Sequence, residues 1–463
     1  MKTIAIVGAG FSGTLLAIHL LRQRAELRVL LFERRASFGQ GLAFGTHETR
    51  HVLNVPAGRM SAFAGKPADF VDWLTRRYDE RIDPNEFLPR AEFGSYLSDL
   101  LQRAMQTDGG RRLLLVNDEV VGVADDGPVR EVHTALGLRY PVDAVVLALG
   151  NLAPPVPAAL PVPLLRHPDY IPEPWSHDWI DGLTGRERIV VLGTGLTAID
   201  VVLSLIERRH EGLVTLLSRR GLLPQAHEIL PAVAVPTVFP RPLRLSRMLR
   251  RFRHAAAHGD WRGLIDGLRP QTQELWQRLS ETERARFLRH LRPWWDIHRH
   301  RMAPQVAERV RAWRSRGRLI VAGGHLQSIV REKERFKITY RRRHLGDEAV
   351  ALADRLVNAT GVGSDLANSR IALVRNLLKT NRMSLDSLGL GPRIAADNTL
   401  LDAQDQASDW IFGLGPITRS RYWEIAAVPD IRLQVEQLVA RLLSKPSISA
   451  TRARRPPLYS TNR

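Results

Sequence analysis

Cysteine is absent from this chain of 463 residues. That excludes structural disulfides, thiolate metal sites, iron–sulfur clusters and a redox-active dithiol, so any redox chemistry must run on a bound group. Lysine is scarce as well: six of the 67 basic residues are lysine and the rest are arginine. No apolar run approaches the roughly 18 residues that a membrane-spanning helix needs. The start, Met1-Lys2-Thr3-Ile4-Ala5-Ile6-Val7-Gly8, enters strand-like sequence directly and lacks the three-part pattern of a secretory leader. A cytoplasmic location and no membrane partner are therefore expected. What is present is the balance of a globular protein with two or three domains, 44% hydrophobic and 25% charged residues. The 48 acidic residues leave a net charge of +19. Arginine-favouring GC-rich coding accounts for such a skew, and so does affinity for polyanions. The basic residues are scattered as well as clustered and no RNA-binding motif accompanies them, so nucleic acid is not the expected partner.

Residues 3–8 read as an apolar strand, followed at once by Gly8-Ala9-Gly10-Phe11-Ser12-Gly13, a helical stretch over 14–21 and a second strand over 27–32 that ends at Glu33. This order is the dinucleotide-binding pattern. The first glycine permits the turn, the second lets the backbone approach a pyrophosphate, and the third packs helix on strand, with the pyrophosphate at the helix N-terminus. Glu33 stands where a carboxylate accepts hydrogen bonds from a ribose hydroxyl pair, and Arg34 follows it.

The pattern recurs. A strand over 188–192 leads into Gly193-Thr194-Gly195-Leu196-Thr197-Ala198, a helix over 199–206 and a strand over 213–217. That strand ends in Ser218-Arg219-Arg220 instead of an acid. A carboxylate there would repel a 2′-phosphate, whereas serine and two guanidiniums hold one. The second site is accordingly read as one for NADP(H).

Two dinucleotide sites without a thiol pair point to a flavoprotein reduced by a nicotinamide, with FAD in the first site. The expected fold is α/β, two Rossmann-like domains with a helical insert. Strands ending at Gly150 and Gly361 mark where the chain leaves and re-enters the FAD domain. The FAD domain is expected over 1–150 and 355–443, the NADP(H) domain over 151–240 and 317–354, the insert over 241–316, and a disordered tail over 444–463. Trp410-Ile411-Phe412-Gly413-Leu414-Gly415-Pro416 precedes a long helix over 425–443 whose start is expected to face the flavin.

Over roughly its first 440 residues the chain resembles the two-dinucleotide-binding-domain flavoproteins, in particular bacterial FAD/NAD(P)-binding proteins of the YdhS type. Those are similar to flavin-containing and N-hydroxylating monooxygenases. The most specific stretches are Asn54-Val55-Pro56-Ala57-Gly58-Arg59-Met60-Ser61-Ala62-Phe63, the second glycine turn through Asp200, and Trp423-Glu424-Ile425-Ala426-Ala427-Val428-Pro429-Asp430-Ile431-Arg432. The resemblance implies that the glycine-rich loop around Gly41 covers the flavin, and that Asn54, with Met60 behind it, stands beside the reactive edge of the isoalloxazine. An asparagine bonding loop backbone has the same appearance. Flavin monooxygenases also carry a Phe-x-Gly lead-in to a histidine followed by an aromatic. Here His167 and Tyr170 keep the spacing, but the lead-in is Pro163-Leu164-Leu165. His167 is thus either a catalytic candidate or a linker histidine.

Tryptophans recur at 261, 276, 294, 295 and 313 in the basic insert, mostly at core-like helical spacing. The segment Arg292-Pro293-Trp294-Trp295-Asp296-Ile297-His298-Arg299-His300-Arg301 mixes aromatics with cations, and Arg299 and Arg301 are candidates for an anionic substrate group. His298 and His300, two apart and without a third ligand nearby in sequence, do not suggest a metal. Arg341-Arg342-Arg343 reads as a solvated hairpin edge. The expected activity is an FAD-dependent, NADPH-using monooxygenase that takes O2 and hydroxylates a small polar substrate. The alternatives are an NADPH-dependent reductase or dehydrogenase without oxygenation and, from another class, a nucleic-acid-binding flavoprotein.

Overall fold

The computed structural model describes every residue except 24, 36, 47, 108–109, 128, 176–177, 229–232, 240–242 and 445–463, so the expected tail lies outside the described residues from 445 onward. The first strands are β1 (Lys2–Val7), β2 (Leu27–Phe32), β3 (Leu113–Val116), β4 (Val120–Ala124), β5 (Glu131–Thr134), β6 (Arg139–Pro141) and β7 (Ala144–Leu147). Then come β8 (Tyr170–Ile171), β9 (Ile189–Leu192), β10 (Val214–Ser218), β11 (Leu319–Glu332), β12 (Arg335–Arg342) and β13 (Glu348–Ala353). The last are β14 (Arg355–Asn358), β15 (Thr399–Leu401) and β16 (Ala407–Gly413).

One sheet has the order β15-β16-β7-β1-β2-β3, all parallel except β15. Its central strands are continuous apolar runs because both of their faces are covered. The helix Phe11–Leu21 is buried along its whole length. It shares its core with the helices Arg90–Thr107 and Val428–Ser444, which explains a helix that is hydrophobic all round. A meander, β4-β5-β6, stands beside this sheet.

The other sheet runs β13-β12-β11-β10-β9-β14-β8, parallel from β11 to β8 and antiparallel through β12 and β13. It corrects two expected boundaries. Arg355–Asn358, expected to open the return to the first domain, pairs with β9 and β8 and belongs to the second sheet. The insert also ends before 316: the helix Pro304–Ser315 buries Val306, Ala307, Val310 and Trp313 in one core with Ile199 and Val202 of the helix Leu196–Glu207. Among the described residues no helix is long and apolar enough to cross a membrane.

Candidate active site

At the first glycine turn the backbone leaves no room for side chains. Gly8 has φ +104°, and a Cβ on it would stand 2.4 Å from the Ala148 carbonyl oxygen; one on Gly13 would stand 1.9 Å from the Gly8 carbonyl oxygen. The strand, turn and helix are therefore pressed together, and Gly10 caps the helix with no side-chain bond at its N-terminus, the arrangement that receives a phosphate. Glu33 fastens the turn to the end of β2, accepting from Ala9 N at 3.0 Å and from Arg35 N at 3.1 Å. Asn117 donates to the carbonyls of Glu33 and Arg35 at 2.8 and 2.7 Å. No motif announced Asn117.

A cleft of about 490 Å³ runs from Glu33 and Arg34 past Gly8, Gly10, Phe11 and Ser12 to Gly41, Pro416 and Ala426. A Cβ on Gly41 would lie 2.9 Å from Gly10 Cα, so the loop closes directly over the turn. Gly415 stands against Ser12, with its N–H donating to Gln434 Oε1 at 2.8 Å. The volume and the backbone-walled shape fit a dinucleotide of FAD size. Met60 is buried in the first domain's core, and neither it nor Asn54 is among the residues that line the cleft.

The second turn repeats the first up to a point. Gly193 has φ +126°, and a Cβ there would meet the Ala359 carbonyl oxygen at 2.0 Å and Thr360 N at 3.3 Å, so Ala359 and Thr360 lie alongside the turn. Gly195 differs, with nothing within 4 Å of where its Cβ would stand. Leu196 and Thr197 open a helix that lacks a side-chain cap. Ser218 accepts from Thr194 Oγ1 and from Gly221 N, both at 3.0 Å, and so holds the turn. Arg219 and Arg220 follow, and Arg343 joins them from the hairpin beyond β12. Burial first, then repulsion from Arg343 and Arg219, pulls the Arg220 pKa down. Arg220 Nε is buried without a hydrogen-bond partner, and among the described residues no carboxylate pairs with any of the three. Three uncompensated guanidiniums beside an open helix N-terminus fit a phosphorylated ribose. Arg343 is exposed at the hairpin turn, as expected of a solvated edge, and its charge acts on Arg220.

The two domains meet in a polar seam. Arg90 reaches from the first domain to Asp200 on the helix Leu196–Glu207, with bonds of 2.7 and 3.1 Å. His51 Nε2 lies 2.9 Å from Ser204 Oγ on the same helix. At Asn54, His227 of the second domain donates from Nε2 to the Asn54 carbonyl at 3.1 Å. Burial, then the positive charge of Arg301, holds the His227 pKa down at about 4, so it is a neutral donor.

The insert docks on the Trp423–Asp430 stretch. Trp276 and Trp423 stack with centroids 4.8 Å apart. Glu424, at φ +65°, receives Arg299 at 3.0 Å, His300 at 3.3 Å and the indole N–H of Trp295. Buried as it is, Glu424 is kept ionised by His300 and Arg299, with a pKa of about 2. Ala426, Val428 and Ile431 line the cleft, so the insert backs one of its walls. Neither substrate candidate is free for that role: Arg299 is committed to Glu424, and Arg301, almost wholly buried, to Asp266. Asp296, His300 and Glu424 bring ligand atoms within 4.8 Å of one another, but the Arg299 guanidinium already balances Glu424. His167 is not brought to the cleft. Its Nδ1 accepts from Asp169 N at 3.2 Å and its ring packs on Phe336.

Residues 5–152 match the family described as FAD-NAD(P)-binding. An uncharacterized protein of Escherichia coli K12, YdhS, is 25% identical over 261 residues, 49% of this chain and 47% of that relative, so the alignment spans about half of either protein. Among solved structures, the ornithine N-hydroxylase of Kutzneria sp. 744 is similar over 96% of this chain and 98% of its own, at 17% identity and a TM-score of 0.65. The cadaverine monooxygenase DfoA of Erwinia amylovora, solved with FAD, is similar over 100% and 98%, at 14% identity and a TM-score of 0.66. The fold is thus that of the two-dinucleotide-binding-domain flavoproteins.

Proposed function

We propose that the chain is an FAD-dependent, NADPH-using monooxygenase that hydroxylates a small polar substrate. The observation that carries this is the opposite finish of two matching glycine turns: a carboxylate at Glu33 in one, and the uncompensated Arg219, Arg220 and Arg343 in the other. FAD held there would supply the redox chemistry, hydride acceptance from NADPH and delivery of the electrons to dioxygen. The chain's own residues bind and orient. Gly8, Gly10 and Gly13 bring backbone to the pyrophosphate, and Glu33 accepts from the ribose. Gly193 and Gly195 clear the way for the second nucleotide, whose 2′-phosphate the three arginines hold. Neutral His227 steadies the segment that carries Asn54, the candidate group beside the flavin, and the docked insert backs the stretch that leads into the buried wall at Val428 and Ile431. On this reading FAD binds mainly within 1–150 and the C-terminal stretch, and NADPH within 151–361. Use of NADPH goes with a cytoplasmic location.

The full-length likeness to ornithine and cadaverine hydroxylases supports oxygenation as the outcome. A reductase without oxygenation is the second reading, favoured by the missing Phe-x-Gly lead-in and by His167 being engaged in its own loop. The test is to follow NADPH oxidation, oxygen uptake and product together, with FAD-loaded protein and small amines such as ornithine, lysine and cadaverine. Amine-dependent oxygen uptake matched by hydroxylated product supports a monooxygenase. NADPH oxidation that proceeds only with an added acceptor such as a quinone assigns the reductase.

A further inference from the structure

Between Ile229 and Gly259 the sequence holds six arginines and no carboxylate. Most of them lie on the helix Leu245–Ala257 or just before it. On this helix Met248 and Phe252 pack against Phe239, Leu268 and Leu275, while Arg247, Arg250, Arg251 and Arg253 project as an exposed face. Among the described residues none of these four, nor Arg244, has an ion-pair partner, whereas Arg90, Arg208, Arg299, Arg301 and Arg331 each hold a carboxylate. Beside this face runs an extended segment whose valines point into solvent: Val233 is 84% exposed and Val238 78%. The two features are physically joined, since Arg251 Nη1 donates to the Val238 carbonyl at 3.1 Å. Gly263 presses on the Val233 carbonyl, which seats the segment on the next helix, Trp261–Leu268.

We propose that this face of the insert is a docking surface for an anionic lipid bilayer. Unpaired guanidiniums supply attraction to acidic headgroups, and adjacent exposed valines supply apolar area that can enter the headgroup boundary. Nucleic acid fits less well, because single strands are held by bases stacking on exposed aromatic rings, and the one Phe, Tyr or Trp of this helix, Phe252, packs inward. Bilayer docking is independent of which substrate the flavin cleft takes.

The test is co-sedimentation of the FAD-loaded protein with phosphatidylglycerol-rich vesicles, compared with phosphatidylcholine vesicles, at low and high salt. Binding is expected to the anionic vesicles alone and to weaken with salt. The combined substitutions Arg247→Glu, Arg250→Glu and Arg253→Glu are expected to lower partitioning by at least about a hundredfold. Val233→Ser with Val238→Ser is expected to lower it by roughly tenfold without changing its salt dependence. Flavin content and NADPH oxidation in buffer stay unchanged in both variants, because neither touches a glycine turn. Equal binding to both vesicle types, or undiminished binding by the charge-reversed variant, overturns the proposal. So does a gel shift with tRNA at a salt concentration where no protein sediments with vesicles.

Discussion

The two glycine turns share a backbone and differ in what surrounds it. In the first, every glycine faces protein: Gly8 meets Ala148, Gly10 meets Gly41 and Gly13 meets Gly8 itself, while Glu33 ties the turn to the strand. In the second, Gly193 is held as tightly against Ala359, yet Gly195 faces open space and the strand gives way to arginines that no carboxylate pairs with among the described residues. The first turn is finished by the protein and the second is left to be completed by its ligand. A carboxylate at the strand end suits a ribose with free hydroxyls, and three guanidiniums suit one carrying a phosphate.

One methyl group added to each turn should separate the two most strongly. Gly13→Ala forces a Cβ onto a backbone carbonyl oxygen, so it is expected to destabilise by about 3 kcal/mol or more and to abolish retention of FAD, read as flavin content after purification. Gly195→Ala meets no protein atom. Stability is expected to stay within about 0.5 kcal/mol in a thermal melt, while the KM for NADPH rises because the methyl occupies ligand space.

The seam that holds the turns at fixed separation is sensitive to acid. Folded His227 titrates at about 4, against 6.5 when unfolded. Its contribution is complete above pH 6.5. As pH falls from there toward 4, the unfolded chain takes up a proton that the native state refuses. The stability lost is up to about 3 kcal/mol. Burial lowers the pKa values of His19, His51 and His210 in the same direction. Urea denaturation at neutral pH and near pH 5 should show the loss, and His227→Asn should flatten it.

Smaller effects are expected at the open turn. Arg220→Ala and Arg343→Ala should each raise the KM for NADPH about tenfold, the equivalent of about 1.4 kcal/mol, and leave that for NADH unchanged. Neither should lower the melting temperature of the nucleotide-free protein, because removing one guanidinium relieves repulsion among the others. A fall in melting temperature would show the cluster to be structural.

Both turns could be read from the sequence because their chemistry is local: strand, glycines, helix and strand end follow one another along the chain. What lay between distant residues could not be read. Arg355-Leu356-Val357-Asn358 looks like any buried parallel strand, and nothing in it says which of two sheets it joins. Val306, Val310 and Trp313 mark a buried helix face without naming the partner that buries it. Arg299 and Arg301 advertised charge, and only the fold shows that charge already paired with Glu424 and Asp266. Arg343 was hidden for the converse reason: as the third arginine of a hairpin edge it gave no sign that the strand pairing carries it to Arg220. Met60 was drawn in by the motif around it, although its side chain belongs to the core. Glu424 stood in plain view within the Trp423–Asp430 stretch, but its role as the anchor of the insert depends on contacts with Trp295, Arg299 and His300.

Anaerobic mixing tests most directly whether one turn holds FAD and the other NADPH. FAD-loaded protein would be mixed with NADPH or with NADH while the visible flavin band is followed. At low nucleotide concentration NADPH is expected to bleach the flavin at least about ten times faster than NADH, with the advantage lost in Arg343→Ala. Equal rates with the two nucleotides, or no bleaching by either, would contradict the assignment of the second turn and with it the proposed reaction.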